Sequence, residues 1–91
     1  MSPKARWRDL LASLPCVICK ASGVQLHHVA EGSGLRHDYG LVPLCPEHHD
    51  ANRSGSGLHG MGTERFCKLF RIPGESEYGL LILTMEAVAR R

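Results

Sequence analysis

Leu44-Cys45-Pro46-Glu47-His48-His49 is the stretch that decides how this chain folds. Cys45 and His48 enclose two residues, a spacing that lets both side chains face one ion, and a second histidine follows directly. Pro46 has the fixed φ that suits the first position of a helix, so these ligands stand where an extended run, Leu41-Val42-Pro43-Leu44, gives way to a helix. Working outward, Gln25-Leu26-His27-His28-Val29 and Cys16-Val17-Ile18-Cys19 lie upstream, and Gly57-Leu58-His59-Gly60 lies downstream. Together these segments hold three of the four cysteines and five of the six histidines. Packing does not account for such a density of ligand side chains. It points to two metal sites on one small scaffold, one structural and one catalytic.

Cys16, Cys19, Cys45 and His48 form a Cys₃His set of two ligand pairs, which predicts a closed structural zinc tying the first knuckle to the start of the central helix. The chain has 91 residues and five aromatic side chains, enough for one domain with a modest core that benefits from such a staple. Its start, Met-Ser-Pro-Lys-Ala-Arg, carries charges where a signal peptide needs an apolar run, and the longest apolar run, Leu80 to Leu83, is too short to span a membrane. A cytoplasmic protein without a membrane segment is therefore expected, and there these spacings mean zinc rather than disulfides. Cys67 has no partner at ligand spacing and reads as a small buried residue.

The remaining elements suggest a small α+β domain. Trp7, Leu10, Leu11 and Leu14 recur at helical spacing, predicting a helix over residues 4–14 that Pro15 stops. Residues 24–29 alternate as a strand with Leu26 in the core and His27 and His28 on opposite faces. Residues 30–40 are a glycine-rich connection, and Pro43 restricts the second strand to an edge or a strand end. His49 and Arg53 fall at i and i+4 on the central helix, which ends in the Ser54-Gly55-Ser56-Gly57 link. Thr63 is placed to cap a helix running to Arg71 with Phe66, Leu69 and Phe70 as its apolar stripe. After Pro73-Gly74, residues 76–91 favour a helix burying Leu80, Leu81, Leu83, Met85, Ala87 and Val88, although Gly79 and the Leu-Ile-Leu-Thr run also suit a strand.

A formal net charge of +2 says little, but its distribution says more. Lys4, Arg6 and Arg8 face one early acid, Asp9, and Arg53, Arg65, Lys68 and Arg71 face only Glu64. Bases clustered beside a metal site suit a polyanion such as DNA, against the plainer reading of a solvated surface. For the second site the histidines outside the Cys₃His set remain: His27, His28, His49 and His59. Metal-assisted phosphodiester hydrolysis needs a cation to stabilise developing charge and a base to deprotonate water, and an imidazole suits the second task. One strand histidine can join the helix histidine on the metal while the other faces the phosphate.

The order Cys-x₂-Cys, His27-His28, Leu44-Cys45-x₂-His48-His49 resembles the zinc-knuckle form of the HNH, or ββα-metal (His-Me finger), nuclease superfamily. The longer run is similar to the phage Ref, or RecA-dependent nuclease, branch. It comprises His27-His28-Val29, a loop with Arg36 and Asp38-Tyr39, Val42 to His49, Gly57 to Gly62, and then Phe66. The resemblance covers residues 16–70 and implies one HNH domain over 1–91. In it a ββα-metal core (16–60) is flanked by a basic helix (4–14) and C-terminal helices (63–90). It implies a metal-dependent DNA endonuclease, phage or prophage encoded.

Position by position, the resemblance makes His28 the general base, His27 and His49 metal ligands, and His59 the third ligand. Arg53 would hold a phosphate, with Arg36, Lys4, Arg6 and Arg8 as further DNA contacts. Where many HNH proteins carry an asparagine that supports the active-site loop, this chain has Gly40, so Asp38 or Tyr39 is expected to brace it. The branch also brings recombination proteins such as RecA as partners, although the long basic N-terminal extension of full-length Ref is missing here. Three imidazoles favour Zn²⁺, Ni²⁺ or Mn²⁺ over the oxygen-preferring Mg²⁺. No recognition helix is readable, so low sequence specificity and strong salt dependence are expected. The competing readings are a zinc-dependent nucleic-acid-binding module that does not cut, and a protein-interaction zinc domain; neither needs the four additional histidines.

Overall fold

The computed structural model describes residues 2–29, 39–50 and 57–91. Two short strands, β1 (Gln25–His28) and β2 (Leu41–Leu44), pair antiparallel, with His27 opposite Val42 and His28 opposite Leu41. Helix α1 (Pro3–Ala12) precedes them; α2 (Pro46–Asp50), α3 (Leu58–Met61) and α4 (Thr63–Leu69) follow. A 3₁₀ turn (Pro73–Glu75) then leads to α5 (Glu77–Arg90). This is an α+β arrangement of one two-stranded sheet among several helices, and no helix of the described residues is long and apolar enough to cross a membrane.

The sheet is small, so both its sides and one of its edges are covered. All four β2 residues are buried. Leu41 meets Leu11 and Leu14 of the α1 segment, and Val42 and Leu44 join the main core with Phe66, Cys67, Ile72 and Leu80. Pro43 donates no ladder bond, but its carbonyl accepts the Val17 N–H at 3.1 Å, so the Cys16–Cys19 knuckle covers β2's outer edge. Helix α1 begins at Pro3 under a Ser2 cap, whose Oγ accepts the Ala5 N–H at 3.2 Å. It stops at Ser13, short of the predicted 14, because the Ser13 hydroxyl donates to the Leu10 carbonyl at 2.6 Å and closes the last turn.

Several expectations need correction. Leu26 is only half-buried against the α1 side, and the deeply buried residue of β1 is His27, 6% exposed. The Leu58 segment, for which no element was expected, is a short helix. Thr63 does not cap α4: Gly62 holds the cap position at φ 94°, and the Thr63 hydroxyl instead donates to Glu77 Oε1 at 3.4 Å. Leu69 and Met85 face solvent, 62% and 46% exposed, because each helix turns a narrower face inward than its apolar residues allow. On α5 the polar Thr84 is fully buried, its hydroxyl donating to the Leu80 carbonyl at 2.8 Å. Cys67 is buried, as expected.

Gly79 fixes how α5 enters this packing. A Cβ there would stand 2.0 Å from the Pro73 carbonyl oxygen and 2.6 Å from Ile72 Cγ2, so only glycine lets the first turn of α5 close on the Ile72–Pro73 turn. Gly79→Ala is expected to destabilise the chain by about 1–3 kcal/mol through overpacking against backbone that cannot yield. Urea denaturation checks this; a midpoint equal to wild type would show that the turn can shift.

Candidate metal centres

The knuckle turn is built from backbone bonds. Cys16 N–H donates to the Ala21 carbonyl and Lys20 N–H to the Cys16 carbonyl, both at 2.9 Å, with Lys20 at φ 67° to complete the reversal. Across from it, Cys45 closes β2 and its carbonyl accepts the N–H groups of His48 and His49 in the first turn of α2. The two pairs therefore meet. Cys19 Sγ and Cys45 Sγ are 3.7 Å apart, and His48 Nδ1 lies 3.8 Å from Cys16 Sγ and 3.2 Å from Cys45 Sγ. Zinc distances of about 2.3 Å to sulfur and 2.0–2.1 Å to nitrogen give tetrahedral sulfur–sulfur edges of about 3.8 Å and sulfur–nitrogen edges of about 3.6 Å. The four donors lie within 4.8 Å of one another and can hold a zinc ion as a closed set.

Electrostatics divides the thiols. Burial works to raise the Cys16 thiol, but backbone hydrogen bonds at Cys45, Cys19 and Ile18 outweigh it and hold the group below its usual value. Burial pushes the Cys45 thiol up, assisted by the neighbouring sulfurs. At Cys45 the crowding of sulfurs is thus adverse without a cation between them, which is what a zinc ligand set requires. The His48 ring is held edge-on against Phe70, centroids 5.2 Å apart, so its orientation is set by packing.

The second cluster forms where β1, α2 and α3 meet. His27, His49 and His59 each offer a nitrogen within 4.8 Å of the others, with ring centroids 4.8–5.4 Å apart. His49 Nε2 and His59 Nε2 are 3.2 Å apart, close to the nitrogen–nitrogen edge of about 3.3 Å expected around a tetrahedral zinc. His49 Nδ1–H donates to Gln25 Oε1 at 2.7 Å, which leaves its Nε2 lone pair facing the cluster. His27 Nε2–H donates to Glu77 Oε1 at 3.2 Å. Burial holds the His27 imidazole below its usual pKa, and Glu77 opposes that shift only in part, so the ring is kept in the neutral form a metal ligand needs.

A cleft of about 220 Å³ opens at this cluster, lined by Leu26, His27, His28, His49 and His59. It spans both faces of β1, so His28, though on the opposite side of the pleat from His27, borders the same space. The donor chemistry fits a borderline divalent cation such as zinc or nickel better than magnesium.

Compared with known protein families, curated proteins and solved structures, the chain matches none.

Of the sequence-predicted residues, the structure brings together all four members of the Cys₃His set and, separately, His27, His28, His49 and His59. Lys4, Arg6 and Arg8 lie exposed on α1 and do not line the histidine cleft. Arg36, Asp38 and Arg53 lie outside the described residues. Near Gly40, one of the two residues expected as a brace, Tyr39, accepts Trp7 Nε1–H on its carbonyl at 3.0 Å, Trp7 being the partner not anticipated, and the Gly40 carbonyl accepts Val29 N–H at 2.9 Å. Sequence reasoning also missed Gln25 and Glu77. Gln25 is two positions before His27 and could have been found as an exposed amide beside a ligand strand. Glu77, fifty residues away, gave no local signal.

Proposed function

We propose that this chain is a metal-dependent endonuclease of the HNH, or ββα-metal, type that hydrolyses DNA phosphodiester bonds. The observation that carries the reading is the histidine surplus. Three imidazoles cluster apart from a complete Cys₃His set, and a fourth, His28, borders the cleft they form. A structural zinc module has no use for this second group. His27 and His28 come from β1, His49 from α2 and His59 from α3, and an order of two strands and then a helix is compatible with this reading.

In this reading the Cys₃His zinc is structural, and His27, His49 and His59 hold a second divalent cation. When bound, that cation supplies positive charge for the phosphate oxygens as negative charge develops on them. His28 is the general base: it stands on the cleft wall beside the three candidate ligands, where an imidazole can take a proton from attacking water. Gln25 and the packing of α2 orient His49, and the burial of His27 keeps its ring neutral. The exposed bases of α1, with Arg36 and Arg53, would grip phosphates without reading bases, consistent with cleavage of low sequence specificity.

The test is nicking of supercoiled plasmid by protein stripped at the histidine centre and resupplied with Mg²⁺, Mn²⁺, Ni²⁺ or Zn²⁺. Cleavage that returns with at least one ion is the expected result. DNA bound but uncut under every ion would instead identify a non-catalytic zinc-dependent binding module.

A further inference from the structure

The α5 helix places an acid against the histidine cluster that neither the zinc set nor the cleavage reading uses. Glu77 is 8% exposed, the first residue of a fourteen-residue helix, and its Oε1 accepts both His27 Nε2–H at 3.2 Å and the Thr63 hydroxyl at 3.4 Å. Burying a carboxylate is costly unless it is hydrogen-bonded or serves a nearby positive charge, and the α5 dipole offsets only part of that cost. The close approach at Gly79 delivers this first turn to the Ile72–Pro73 turn, so the position of Glu77 is determined by backbone packing, not by a flexible side chain.

We propose that Glu77 is the positioning residue of the histidine centre, holding His27 by its Nε2–H so that Nδ1 is the nitrogen presented to a divalent cation. The inference rests on the metal-centre reading given above. One ring nitrogen cannot both donate to a carboxylate and bind a cation, so the bond to Glu77 selects the tautomer. Glu77 is outside the lining of the cleft and meets the centre at His27 Nε2. Three neutral imidazoles bring no charge to a dication, and the Glu77 carboxylate supplies a negative charge next to one of them. It therefore raises affinity as well as fixing orientation. Gln25 does the corresponding job for His49 through an uncharged amide. The two outer partners thus differ in kind, and Glu77 is the one whose charge strengthens cation binding.

The experiment uses the full chain with its Cys₃His zinc in place. Ni²⁺ binding is titrated calorimetrically for wild type, Glu77→Gln and Glu77→Ala, with thermal stability measured alongside. Long-range ¹H–¹⁵N spectra report which His27 nitrogen carries the proton. The expected result is one Ni²⁺ per wild-type chain beyond the zinc, about 10–100-fold weaker binding in Glu77→Gln, and His27 protonated at Nε2 in wild type. Glu77→Gln keeps size and a hydrogen-bonding oxygen, so a folded variant with lost affinity separates charge from packing. Glu77→Gln binding within twofold of wild type, or His27 protonated at Nδ1, would overturn the proposal while leaving the centre standing. Wild type that takes up no Ni²⁺ would overturn the metal-centre reading and, with it, the role of Glu77.

Discussion

Chelating the zinc proposed for Cys16, Cys19, Cys45 and His48 is expected to unfold the chain outright. Cys16 and Cys45 belong to the same buried cluster as Val17, Val42, Leu44 and Phe66, so a zinc ion held by this set would join the knuckle to the sheet at the centre of the core. Apparent zinc-binding free energies of about 10–16 kcal/mol for small Cys/His sites match or exceed the roughly 5–15 kcal/mol stability of a whole domain. Without the ion, thiols within 4 Å of one another lose their common partner. Chelation, or Cys45→Ser, should abolish the cooperative thermal transition and collapse amide dispersion in the NMR spectrum. Cys67→Ala is the contrast: Cys67 is as deeply buried but outside the set, and its loss should cost about 1 kcal/mol with zinc retained. A chelated chain that keeps its dispersed spectrum would show that the apolar core suffices alone.

His28→Ala is expected to lower the cleavage rate about 10²–10⁴-fold, equivalent to about 3–5 kcal/mol of transition-state stabilisation. Fold and DNA affinity should be preserved, because His28 is half-buried and belongs to neither ligand group. A base acts in the transition state and contributes little to ground-state binding, so the loss should appear in turnover with KM nearly unchanged. Plasmid nicking under the ion that supports wild type, alongside a zinc count and a thermal midpoint, makes the measurement. Full activity in a folded variant would move the base to another residue, and loss of DNA binding with activity would assign His28 to substrate contact.

The two metal groups were legible to different depths. The Cys₃His set could be read because its ligands come as local pairs, Cys16 with Cys19 and Cys45 with His48, whose spacing already determines that each pair faces one way. The histidine group was legible as a surplus, but its convergence depends on three separate elements meeting. The helix start at Pro46 and the break at Pro73-Gly74 were readable because proline and glycine act locally on φ, whereas the first helix, placed from residue 4 by its apolar spacing, begins at Pro3. Side-chain exposure was read less well. Leu69 and Met85 carry the right periodicity and still face solvent, since periodicity describes a helix face but not whether a neighbour covers it.

By itself, then, the sequence determined the ligand pairs, the α+β class, the boundaries set by proline and glycine, and the identity of the histidines available to a second centre. Only the tertiary structure decided that His27 is the buried residue of its strand, that His28 shares its cleft, and that Glu77 lies 3.2 Å from His27. A glutamate in the first turn of a helix ordinarily reads as a solvated acid favoured by the dipole. What buries it here is the contact of α5 with the Ile72–Pro73 turn across Gly79, and such long-range packing leaves no trace in local spacing.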